Sequence, residues 1–101
     1  MQDFKDKVAV ITGGASGIGF AIARRLGREG VKLVLADVEQ PALDKAVAEL
    51  RETGIDVIGQ PTDVAKFEQV QALAERSFAH YGAVHLLFNN AGVVFEEAAD
   101  P

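Results

Sequence analysis

Four short apolar runs, spaced by stretches of helical period, constrain this chain more than any other feature. They are "KVAVIT" (7–12), "KLVLAD" (32–37), "DVIGQ" (56–60) and "VHLLF" (84–88). Each is too short for a stable helix, and the first two are rich in residues that suit a buried strand. Between the first two runs, Ile18, Ile22 and Leu26 recur at i, i+4 and i+8, with Arg24, Arg25 and Arg28 off that stripe. This predicts an amphipathic helix closing near Gly30. A second helix carries Leu43, Ala46, Val47 and Leu50, opens with Pro41 in its first turn and ends at Gly54. A third has Val70, Leu73, Ala74, Ser77 and Phe78 as its inner face and ends at Gly82. Strands alternating with helices of this length predict a parallel sheet joined by right-handed crossovers.

The sequence therefore reads as an α/β, Rossmann-like three-layer fold, with a four-stranded parallel sheet in the order 3-2-1-4 and three helices. At 101 residues it supports a single domain, residues 1–101, without repeats or linkers. In such a sheet, ligands bind beyond the carboxyl ends of the strands, where the strand order reverses. That point lies between strands 1 and 4. "TGGASGIG" (12–19) follows strand 1 and "NNAG" (89–92) follows strand 4, so two distant motifs converge there.

The residue types at that crevice have a physical logic. Gly13 permits a tight turn after the strand, Gly17 lets backbone approach a ligand, and Gly19 lets the helix pack closely against the sheet. The following helix aims unpaired N–H groups into the turn, which suits a diphosphate, and Ser16 adds a hydroxyl. The same glycines also fit ordinary turn chemistry. Asp37 ends strand 2, eighteen residues beyond Gly19, where a carboxylate can accept both ribose hydroxyls of an adenosine or stand in a solvated loop. Asp63 can cap the third helix or contact a ligand. Asn90 can be a turn residue or a polar bracket between strand ends and ligand. The physics of the residues does not choose between these alternatives.

Composition narrows the partners. The net charge is −5, with ten Lys and Arg, which disfavours nucleic acid, whose phosphates call for a concentrated basic face. There is no cysteine, so disulfides and thiolate metal sites are excluded and no metal is expected. The N-terminal "MQDFKDK" mixes charges, and the run after it is too short for a signal or membrane span. The expectation is a soluble, cytoplasmic protein that engages neither membrane nor nucleic acid.

"TGGASGIG" together with "NNAG" resembles the short-chain dehydrogenase/reductase family, in its shorter single-domain branch; the family's extended, epimerase-like branch would carry glycine where Ser16 stands. The resemblance runs from the first strand through the fourth. It implies that Gly13, Ser16, Gly17, Ile18 and Gly19 wrap the diphosphate of a nicotinamide dinucleotide. Asp37 would hold the adenosine ribose, and Asp63 with the Val64 backbone would meet the adenine. Asn90, Ala91 and Gly92 would lie along the ribose towards the nicotinamide. Thr12 would be a structural tie between the turn and "NNAG". With Asp37 facing the 2′ position, the implied preference is NAD over NADP.

Two local departures from the family pattern are visible: His85 stands where aspartate is common, and Ala65 where a capping Ser or Thr is common. His85 reads as a packed or edge residue, His80 as a complement to a helix C-terminus, and Arg24, Arg25, Arg28 and Lys32 as a solvated face. A larger departure concerns catalysis. The family's proton transfer uses a Tyr-x-x-x-Lys pair with a serine and an asparagine, whereas the single tyrosine, Tyr81, has His85 four residues on. No catalytic residue is therefore assigned. The resemblance implies the dinucleotide-binding part of an oxidoreductase acting on alcohol or carbonyl substrates, a fragment inactive by itself. Two other readings are a non-catalytic dinucleotide-binding or redox-sensing module and a piece with no function of its own. "VHLLF", apolar throughout but for His85, predicts a strand covered on both faces; left as an edge it would promote self-association.

Overall fold

The computed structural model describes residues 4–90 of the chain. Strand β1 (Val8–Thr12) leads through the glycine turn into helix α1 (Gly17–Arg28), and strand β2 (Lys32–Asp37) leads into α2 (Gln40–Glu52). Strand β3 (Val57–Pro61), helix α3 (Phe67–Tyr81) and strand β4 (Leu86–Asn89) complete the order. All pairings are parallel and the sheet runs β3-β2-β1-β4, as the alternation of elements predicts. Strand 2 has the predicted bounds, while strands 3 and 4 end one residue later than the apolar runs suggest.

Alternate residues of the central strands feed two cores. Ala9, Ile11, Leu33 and Leu35 pack under α1 and α2 with Leu43, Ala46 and Leu50. Val10, Val34 and Ala36 turn the other way and meet Ile58 and Leu73, the latter from α3. The period-two alternation of a strand thus divides β1 and β2 between two helical layers. This is how two helices on one face and one on the other share a single sheet.

Two helices present different faces from those their periodicity predicts. On α1 the buried residues are Gly19 and Ala23; Ile18 is 71% exposed, and Ile22 and Leu26 are half-buried. The small residues let the helix axis come close to its neighbours, and close approach outweighs the larger apolar stripe. Gly27 makes the same point, since a Cβ there would lie 2.6 Å from the Cδ1 of Ile55. On α3 only Leu73 and Ser77 are buried, while Ala74 and Phe78 are exposed and Val70 half-buried. Strand β4, whose apolar content suits cover on both faces, is under-covered on the face served by α3 alone, as the count of two helices against one predicts: Leu87 is 66% exposed. Among the described residues no helix is long and apolar enough to cross a membrane.

Candidate functional site: the carboxyl ends of the strands

The glycine turn is built around two positive-φ residues. Gly13 (φ 64°) and Gly17 (φ 58°) both occupy the left-handed region that side chains disfavour. Space around Gly17 is open, with nothing within 4 Å of where a Cβ would stand. Gly19 is the opposite case: a Cβ there would run into the carbonyl oxygen of Gly13 and approach the amide of Asn90. Its role is to let the helix sit on the turn itself, rather than on the sheet as the sequence suggests.

Helix α1 begins with Ser16 in an extended conformation and making no side-chain cap. The first N–H groups of a helix have no partners within it, so this terminus presents donors to the open space beside Gly17. No acidic residue stands in the first turn to compete for them.

Asp37 has a place that its spacing alone does not reveal. Its Oδ2 accepts from Ala15 N at 3.1 Å and its Oδ1 from Glu39 N at 3.2 Å. The carboxylate is a strut between the end of β2 and the glycine turn, and each oxygen keeps a further lone pair for a ligand hydroxyl. Asp63, expected as an N-cap of the third helix, instead caps the turn before it. Ala65 N donates to its Oδ1 at 3.0 Å, and its own N–H donates to Gln69 Oε1 at 2.7 Å. The residue at the N-cap itself is Lys66. Gln69 thus reaches back from the first turn as in a capping box, with the partner displaced one turn outward.

Thr12 ties the two motifs together. Its buried hydroxyl accepts from Asn90 N at 2.9 Å and lies 3.1 Å from Asn89 Oδ1, across the junction of β1 and β4. Asn90 Nδ2 stands 3.5 Å from the Gly13 carbonyl, so the asparagine brackets the turn. Ala91 and Gly92 lie outside the described residues.

Gly13, Asp37, Asp63 and Val64 line one cleft of about 190 Å³ with Ala36, Val38 and Thr62. It is smaller than a pocket for a whole drug-sized molecule and suits one moiety, such as a heteroaromatic base. Thr62 and Val38 are not singled out by the motifs. The rule that ligands sit beyond strand ends would have found both, since each directly follows a strand. Ile18 does not line this cleft; its side chain lines a separate groove with Ile22, Leu26 and Phe88.

The remaining polar residues stand apart. His85 accepts from Val8 N through Nδ1 at 3.0 Å while its own N–H donates to Val8 O at 2.8 Å, which fixes it as an edge residue of the sheet. Tyr81 donates to Asp56 Oδ1 at 2.7 Å, at the amino end of β3 and away from the crevice. Burial first, then that hydrogen bond, pushes its phenol well above the usual range.

Comparison with known proteins agrees with this geometry. The family model described as short chain dehydrogenase matches residues 7–100. The C alpha-dehydrogenase of Sphingobium sp. is 48% identical over 94 residues, which are 92% of this chain and 31% of that protein. A short chain dehydrogenase/reductase from Burkholderia phymatum, solved in complex with NAD, superposes with a TM-score of 0.84 at 52% identity, over 86% of this chain and 31% of its own. An actinorhodin polyketide ketoreductase solved with NADPH gives a TM-score of 0.83 at 41% identity, over 85% of this chain and 33% of its own. The chain thus spans about a third of the length of these relatives. A family match over nearly the whole chain, on a sheet of the same topology, means that this chain belongs to the short chain dehydrogenase family.

Proposed function

We propose that this chain is the dinucleotide-binding part of a nicotinamide-dependent oxidoreductase that acts on an alcohol or carbonyl group. The observation that carries this reading is the convergence of the open glycine turn, the uncapped start of α1, Asp37 and Asn90 at one end of the sheet. In this reading Gly13, Ser16, Gly17, Ile18 and Gly19 hold the diphosphate, through backbone N–H groups for the most part. Asp37 accepts the adenosine ribose hydroxyls, and Asp63 and Val64 border the base. Asn90, Ala91 and Gly92 extend towards the nicotinamide, which when bound supplies or accepts hydride. The chain's own residues bind and orient; proton transfer to or from the substrate oxygen falls to groups that the 101 residues do not contain as a Tyr-x-x-x-Lys pair.

The cofactor preferred is NAD(H). A 2′-phosphate would face the Asp37 carboxylate, and no Lys or Arg lines the cleft to offset it. Two like charges 4 Å apart repel by about 4 kcal/mol at an effective dielectric near 20. Solvent reduces this, yet about 1.4 kcal/mol already amounts to a tenfold preference. Titrating the two cofactors side by side tests the assignment: NAD(H) should bind at least about tenfold more tightly, and Asp37→Asn should narrow the gap. Equal affinities, or tighter NADP(H), would remove Asp37 from the ribose site.

A further inference from the structure

The loop that borders the cleft is held by a residue outside it. Thr62, Asp63 and Val64 follow β3 and line the cleft, and the latter two are half-buried. Gln69, the third residue of α3, is half-buried as well but does not line it. At that position a glutamine ordinarily folds its side chain back to the N–H of the N-cap residue, here Lys66. Lys66 N is already taken, since it donates to Asp63 O at 3.0 Å. The Gln69 side chain therefore reaches past it, and its Oε1 accepts from Asp63 N at 2.7 Å.

Three bonds close a ring: Asp63 O accepts from Lys66 N, Lys66 O from Gln69 N at 3.0 Å, and Gln69 Oε1 from Asp63 N. The loop is gripped at its other end by Thr62 N, which donates to Asp37 O at 2.9 Å. One oxygen of the Asp63 carboxylate is committed within the loop, since Oδ1 accepts from Ala65 N at 3.0 Å. Asp63 Oδ2 and Val64 N have no partner among the described residues. An acceptor on one residue with a donor on the next complements the adenine edge, whose exocyclic amine donates and whose N1 accepts. Hypoxanthine reverses that order, with a carbonyl oxygen in place of the amine and an N–H at N1.

We propose that Gln69 is a positioning residue for base recognition. By holding the Asp63 peptide from α3, it sets Asp63 Oδ2 and Val64 N–H in the order that accepts adenine and refuses hypoxanthine. The inference rests on the dinucleotide reading of the site and adds to it a residue that touches no ligand. A fixed donor and acceptor are left unpaired against the wrong base, and the discrimination arises there. A loosened loop lets the two groups turn to either base, so selectivity falls along with affinity.

Fluorescence titration of the 101-residue chain with NADH and with reduced nicotinamide hypoxanthine dinucleotide tests it. The two ligands differ only in the base, so the ratio of their affinities reports base reading and cancels a general loss of stability. The parent chain should favour NADH at least about tenfold. Gln69→Met keeps the length and helix preference of the side chain but removes the acceptor, and should bring the ratio to within about threefold. Gln69→Ala should do the same. Gln69→Glu keeps an acceptor for Asp63 N–H and should retain most of the preference. A Gln69→Met or Gln69→Ala chain with the parent's full preference overturns the positioning role and leaves the site standing. So does a Gln69→Glu chain that loses as much preference as Gln69→Met, or a parent chain that binds both dinucleotides equally. A parent chain that binds neither dinucleotide overturns the site itself, and this inference with it.

Discussion

Asp37 and Gly19 show how much a single position can decide. At Gly19 the obstacle is a backbone oxygen, that of Gly13, which can yield only by opening the turn. Gly19→Ala should therefore cost about 1–3 kcal/mol in denaturant unfolding and weaken dinucleotide binding together. Gly17→Ala meets no atom but must hold φ 58°, so its expected cost is that of left-handed backbone alone, about 1–2 kcal/mol. A Gly19→Ala chain as stable as the parent would mean the helix can lift off the turn freely. Thr12 offers a cleaner separation of geometry from chemistry. Thr12→Val removes the acceptor of the Asn90 N–H at a part-buried junction, for a cost of about 0.5–1.5 kcal/mol, whereas Thr12→Ser keeps the hydroxyl and should restore most of it. Equal losses from valine and serine would assign the effect to packing instead.

Elements were legible from sequence to the extent that period and punctuation define them. Gly82 ends α3 in the left-handed conformation (φ 81°), and Pro41 opens α2, both where residue type predicts. Leu43, Ala46, Val47 and Leu50 are the buried face of α2, as their spacing predicts; what periodicity missed is which residues α1 turns inward and how narrow the buried face of α3 is. Ile18, Ile22 and Leu26 form the larger apolar stripe, yet Gly19, Ala23 and Gly27 allow closer contact, a preference visible only once the partner surface is known. On strand β4 apolar content reports what the strand can bury and not what covers it, and the exposed Leu87 lies on the face that a single helix serves. The amino end of β3 carries a contact that no motif announces, the Tyr81–Asp56 hydrogen bond. The Tyr81 phenol is raised in the folded state above the unfolded value of 10.0, so the folded chain holds that proton more tightly. The stability this contributes is fully present below about pH 10 and is lost as pH rises above it. Tyr81→Phe should flatten that alkaline decline when the two chains are unfolded in denaturant from neutral pH to about pH 11. Parallel alkaline limbs would show that the hydrogen bond does not discriminate between the phenol and the phenolate.

At the scale of the whole molecule, topology did what individual motifs could not. Neither the glycine turn nor Asp37 specifies a ligand alone; the order β3-β2-β1-β4 brings both, with Asn90, to one end of one sheet. The strut from Asp37 to Ala15 N and the displaced cap at Asp63 stayed hidden because both depend on loop geometry, which spacing does not encode. Because the proposed diphosphate and ribose contacts all sit within this chain, binding should separate from turnover. A ligand that binds only the folded state at about 100 times its Kd adds about 2.7 kcal/mol. For a domain of this size, each kcal/mol moves Tm by about 4–8 °C, so NAD(H) should raise Tm by on the order of 10 °C. The same sample should show no change in nicotinamide absorbance with any alcohol or carbonyl substrate. The only tyrosine points at Asp56, at the opposite end of β3 from the cleft, and His85 is held by Val8. Neither can reach a substrate oxygen at the crevice. No thermal shift with NAD(H) would remove the binding site, and turnover that vanishes on changing Tyr81 or His85 would place proton transfer where the geometry forbids it.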